Sequence, residues 1–137
     1  MEIAAAPDRT WDALVRRMAG RPRRGSGPVS ALLGVRDRHP TGPLDRPGST
    51  IVGFRVERAE RPRELALAGR HRFSRYALTF AIDDLGDGRS RLRARTDAEF
   101  PGATGSIYRG LVIGTRLHVL AVRSILRAVR ERAERRQ

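Results

Sequence analysis

Cysteine is absent from this chain of 137 residues. That excludes disulfides, thiolate nucleophiles and cysteine metal ligands. Lysine is absent as well, so all 28 basic residues are arginine. With abundant Ala, Gly and Pro, this pattern suggests a GC-rich coding bias. Bias accounts for arginine in place of lysine, but not for a net charge of +13. The surface is therefore basic. Aromatic residues make up only 5% of the chain, which leaves little material for platforms on which nucleobases would stack. The arginines are also spread along the sequence. Both points weigh against a nucleic-acid or anionic-membrane partner and favour a solvated basic surface. No apolar run approaches the roughly 20 residues of a membrane span. The first residues lack the basic segment and long apolar stretch of a signal peptide, so a cytoplasmic location is the expectation. The length suits one domain over 1–137.

What is present is periodicity. Residues 7–18 read as a short helix: Pro7 suits a first turn, Asp8 complements the dipole, and Trp11, Leu14, Val15 and Met18 share a stripe. Ser30–Val35 reads as one further helical turn, and the segment 36–49 is too rich in Pro and Gly for a regular element. From Thr50 the period becomes two. Thr50–Arg58 sets Val52, Phe54 and Val56 against Gly53, Arg55 and Glu57. Glu64–Ala68 aligns Leu65 with Leu67. Ser74–Asp83 aligns Tyr76, Leu78, Phe80 and Ile82. Arg89–Glu99 sets Leu92, Ala94, Thr96 and Ala98 against Arg91, Arg93, Arg95, Asp97 and Glu99. Asp87-Gly88 marks a hairpin between the last two. Four strands with short connections predict an antiparallel meander. Only Glu2–Ala5 is left to form a first strand, which is truncated.

Phe100-Pro101-Gly102 ends the strands, and a helical pattern runs from about Thr104 to about Ala133. Its apolar face includes Tyr108, Thr115 and His118 among Leu111, Val119, Val122, Leu126 and Val129. Ile113, Leu117 and Leu120 fall off that stripe. Polar groups on a covered face need partners. A backbone carbonyl, a water or a ligand can serve each of the three. Gly110 and Gly114 would let a backbone or ligand come close, or simply bend the helix. Opposite the helix, Phe54, Leu67, Tyr76, Leu78, Phe80, Ala94 and Thr96 would either frame a cavity or fill a core.

Several chemistries are argued against. His39, His71 and His118 show no metal-ligand spacing, so no metal or cofactor is expected. Asp83, Asp84 and Asp87 read as a turn. Asp97 and Glu99 share parity with outward arginines and should pair with them in water. Gly102-Ala103-Thr104-Gly105 lacks the lysine of a P-loop. No serine sits in a nucleophile elbow.

Taken together, Ala5-Ala6-Pro7 with Trp11, Gly53-Phe54-Arg55-Val56, the stretch His71–Leu78, Phe100-Pro101-Gly102 and Tyr108-Arg109 with His118 carry a likeness that covers nearly the whole chain. The chain resembles a bacterial branch of the START-like, or SRPBCC, superfamily of polyketide cyclase/dehydrase and lipid-transport proteins. The resemblance implies an α+β helix-grip fold, in which a curved antiparallel sheet wraps a long C-terminal helix behind short N-terminal helices. It also implies binding of hydrophobic small molecules and, in some members, cyclase or aromatase chemistry.

The expected function is binding of a small hydrophobic or amphipathic ligand between sheet and terminal helix. Apolar walls would give affinity, and Tyr76, Tyr108 and His118 would orient a polar group. Two alternatives stay open at this point. One is a cyclase or dehydratase with His118 as general acid/base and a tyrosine stabilising an enolate oxygen. The other is a basic module for RNA, a ribosome or an anionic membrane.

Overall fold

The computed structural model describes residues 1–20, 40–51, 53–71, 74–102, 109 and 117–135, with backbone only for His71, Leu117 and His118. The expected turn at Ser30–Val35 lies outside them. In chain order the elements are β1 (Glu2–Ile3), α1 (Pro7–Ala19), β2 (Thr50–Ile51), β3 (Phe54–Glu60), β4 (Glu64–His71), β5 (Ser74–Gly86), β6 (Arg89–Glu99) and α2 (Leu117–Glu134). The strands form one antiparallel sheet in the order β1-β6-β5-β4-β3-β2. The two helices pack on each other and on the inward face of this curved sheet, giving the α+β, helix-grip-like arrangement.

α1 begins at Pro7 without a side-chain cap; Asp8 sits in its first turn and Arg16 and Arg17 in its last, which suits the helix dipole. Its inward stripe holds Thr10, Trp11, Ala13 and Leu14, all buried. Val129 and Ala133 of α2 are buried in the same core as Trp11 and Leu14. Thr10 is the polar exception. Its hydroxyl meets that of Ser90 on β6 at 2.7 Å, with both residues fully buried. Each hydroxyl satisfies the other, so helix and sheet are joined by a polar contact inside an apolar layer.

The strands differ from the sequence pattern in two places. Val52, Phe54 and Val56 alternate as one strand would, yet the chain reverses between β2 and β3, with Ile51 opposite Phe54. Gly53 sits at this reversal with φ 87°, a conformation that disfavours side chains. The second difference is a bulge between Val56 and Arg58. It turns both Glu57 and Arg58 outward and returns Ala59 to the core side. The sheet therefore has six strands rather than a truncated first strand plus four. The Asp87-Gly88 hairpin is as expected. Asp87 (φ 51°) and Gly88 (φ 69°) both take the left-handed conformation of a two-residue turn between β5 and β6.

On the outward face the central strands carry Ala66, Ala68, Ala77, Thr79 and Ala81, while the flanking strands set Arg58, Arg55, Arg95 and Arg93 opposite Ala66, Ala68, Thr79 and Ala81, and Asp97 opposite Ala77. The outer ion pairs are Arg58–Glu64 at 2.7 Å, Arg93–Asp83 at 2.7 Å and Arg95–Asp97 at 3.0 Å. As expected from parity, Asp97 is exposed and paired. β1 is held by Glu2, whose carboxylate takes a hydrogen bond from Arg91 at 2.8 Å. That bond and the arginine charge lower the Glu2 pKa from its ordinary value and raise that of Arg91. Arg61, in the β3–β4 turn, reaches Asp8 at 3.1 Å and Asp12 at 3.3 Å on α1.

Candidate functional site

Register across the sheet lines the inward side chains up in rows. Ala59, Leu65, Phe80 and Ala94 make one row; Val56, Leu67, Leu78 and Thr96 make the next; Gly69, Tyr76 and Ala98 make the third. Cover thins from row to row. Leu65 and Phe80 are fully buried and Ala94 is half-buried. Val56, Leu67 and Leu78 are buried, but Thr96 beside them is exposed. In the third row Tyr76 is half-buried and Ala98 exposed. Phe54 is also half-buried. The inward face is thus a packed core at one end and only partly covered where β5 begins and β6 ends.

At this lightly covered end the geometry is specific. The Tyr76 hydroxyl donates to the Gly53 carbonyl at 2.8 Å. The Phe54 ring stands edge-on to the Tyr76 ring, 5.1 Å between centroids and 82° between planes, an arrangement favoured by the ring quadrupoles. Gly69, opposite Tyr76 on β4, leaves room for this ring. A Cβ there would run into both the ring and the Gly53 carbonyl. One glycine thus lets the tyrosine lie across the sheet, and the β2–β3 reversal supplies the acceptor that holds it. The phenolic proton of Tyr76 is committed to the backbone.

Seven of the expected site residues, Phe54, Leu67, Tyr76, Leu78, Phe80, Ala94 and Thr96, lie on the same inward face. Leu67, Leu78 and Phe80 are core residues at 1%, 5% and 0% exposure. Tyr108 and Thr115 lie outside the described residues. His118 lies in α2, and its side chain is outside them too.

A shallow concavity of about 580 Å³ occurs on the opposite, outward face at the same end of the sheet. Ala68 and Ala77 form its floor, and Arg55, Arg70, Arg75, Glu57, Asp97 and Glu99 its walls. Three cations and three carboxylates balance one another there, which gives no preference for an ion of either sign. Among the described residues, no three His, Asp or Glu side chains gather as metal ligands would. No described helix is long and apolar enough to cross a membrane.

A third feature escapes any reading of the chain as a line. The arginines look evenly scattered in sequence, but Arg9 and Arg16 of α1 and Arg132 and Arg135 at the end of α2 come together around one groove between the helices. The signal that could have found it is position: Arg9, Arg16 and Arg132 fall off the apolar stripes of their helices, and Arg135 follows the last residue of α2.

No family model matches the sequence, and no curated protein matches it. Among solved structures, a conserved protein from Geobacillus kaustophilus is similar, with a TM-score of 0.58 and 13% identity over 97% of this chain and 91% of that one. CalU16 from Micromonospora echinospora matches at a TM-score of 0.46 and 19% identity, over 98% of this chain and 80% of its own. At 13% identity the first likeness shows a shared fold alone. The chain is thus an α+β protein of helix-grip-like architecture, its six-stranded antiparallel sheet folded about its helices.

Proposed function

We propose that the chain is a START-like (SRPBCC) domain that binds a small hydrophobic or amphipathic molecule between the lightly covered end of the sheet and the terminal helix. One observation carries the reading: Thr96 and Ala98 are exposed although their parity is inward, beside half-buried Tyr76, Phe54 and Ala94. Inward side chains that water reaches are surface a ligand can cover. About 200 Å² of apolar ligand surface buried there would contribute about 5 kcal/mol. Phe54, Tyr76 and Ala94 supply the apolar wall in this reading, over the sealed core of Leu67, Leu78 and Phe80, with Tyr108, Thr115 and His118 as polar lining from the helix side.

The state of Tyr76 argues against this residue as the tyrosine that would stabilise an enolate oxygen. A phenol whose proton already goes to a backbone carbonyl does not offer that proton to an enolate oxygen. The test is native mass spectrometry of the purified protein for a co-purified small molecule, with Nile red as the neutral probe. Ala98→Leu and Thr96→Leu fill the space and should weaken saturable Nile red binding at least tenfold while leaving the unfolding midpoint near wild type. No co-purified molecule together with no saturable binding, or binding indifferent to both variants, defeats the proposal.

A further inference from the structure

The charge on this protein is unevenly placed. Outward arginines of the sheet are interleaved with acids: Arg58 with Glu64, Arg91 with Glu2, Arg93 with Asp83 and Arg95 with Asp97. The acids Asp8 and Asp12 of α1 are occupied by Arg61, and Glu134 of α2 by Arg130. The outer side of the helix layer is left without such balance. A groove of about 1110 Å³ between α1 and α2 is lined by Arg9, Arg16, Arg132 and Arg135 over Ala13, Ala128 and Ala133. A second of about 320 Å³ adjoins it, sharing Ala128 and Glu131, and adds Arg123 and Arg127. All six arginines are exposed, and none has a carboxylate within ion-pair distance among the described residues. Glu131 is the single acid among the described residues of either lining.

The geometry points to this furrow as a binding track for the phosphodiester backbone of a nucleic acid. Guanidinium groups match phosphate with two parallel hydrogen bonds. Alanines on the floor leave the backbone room to approach. Two adjoining grooves suit a linear polyanion better than a single small anion. An anionic bilayer fits less well. Among the described residues this face offers one exposed large apolar side chain, Leu120 at 58%, and so little to insert between lipids. With no aromatic side chain among the described residues of either lining, contacts fall on phosphates and not on bases, so recognition is indifferent to sequence.

The experiment is fluorescence anisotropy of the full chain with labelled 20-nucleotide single-stranded RNA and DNA of mixed sequence, from low to physiological salt. Six phosphate contacts predict a slope of log affinity against log salt of about −4. Arg16→Glu with Arg132→Glu should lower affinity at least tenfold and flatten the slope by more than about 1.4. The Gln versions of both serve where Glu disturbs the fold, judged by circular dichroism. Arg70→Glu with Arg75→Glu, an equal charge change on the sheet's outer face, should cost less than threefold. RNA and DNA should bind alike. The inference fails if neither nucleic acid binds at low salt, if the slope is flat, or if the sheet variant loses as much as the groove variant. It also fails if vesicles of phosphatidylcholine and phosphatidylglycerol bind while nucleic acid does not.

Discussion

Thr10 and Ser90 allow the cost of an unmet hydrogen bond to be separated from the worth of a made one. Both are fully buried, and their hydroxyls lie 2.7 Å apart between α1 and β6. Thr10→Val keeps the shape of the side chain but strands the Ser90 hydroxyl where no water reaches it. That should cost about 1–3 kcal/mol, the desolvation of one unsatisfied group. Ser90→Ala strands Thr10 instead, whose hydroxyl can turn back to a carbonyl of the preceding helical turn. It should fall near 1 kcal/mol. The double variant removes both polar groups, loses only the net value of the bond, and should be no less stable than Thr10→Val alone. Urea unfolding followed by circular dichroism gives the four free energies, with equal m-values as the check on two-state behaviour. A coupling of about 1–2 kcal/mol is expected. Strictly additive single effects would show that the two hydroxyls are satisfied separately, and the reasoning would fail.

Gly69→Ala should destabilise by about 2–4 kcal/mol in the same assay, because the added methyl displaces the Tyr76 ring and its hydrogen bond to Gly53. Tyr76→Phe keeps the ring and should cost only about 1 kcal/mol; a Gly69→Ala protein as stable as wild type would contradict the packing. The Glu2 carboxyl, held below its ordinary pKa by Arg91, should titrate below that value in a carboxyl NMR titration. Because the folded-state pKa is depressed, the Glu2–Arg91 contact adds stability above the ordinary glutamate range and loses it as the pH falls through the folded value. Glu2→Gln should remove that portion of the acid dependence.

The parts of the fold that local chemistry dictates could be read from the chain. Pro7, Asp8 and the Trp11–Leu14 stripe mark α1, the alternation in Ser74–Asp83 and Arg89–Glu99 marks β5 and β6, and Asp87-Gly88 marks their hairpin. What could not be read depends on contacts far apart in sequence. The reversal at Gly53 hides inside an unbroken alternation, and its carbonyl is held by Tyr76, 23 residues on. The bulge after Val56 shifts parity without a Gly or Pro to announce it. Thr10 could have drawn notice as a hydroxyl on an apolar stripe, but nothing local names Ser90 as its partner. Leu67, Leu78 and Phe80 show the same limit at the candidate site. Periodicity places them inward, yet only the neighbouring rows separate a sealed core position from one beside open space such as Thr96. The furrow arginines were visible one by one, and only the pairing of the two helices gathers them.

β1 owes its place almost entirely to distant chain. Met1 exchanges hydrogen bonds with Leu92, Glu2 meets Arg91, and the amide of Ala4 is received by Glu134 at the far end of α2, 130 residues away. Two residues make too short a ladder to stand before those partners exist. The strand therefore holds only while β6 and the end of α2 are both in place, and loosening either one frees it.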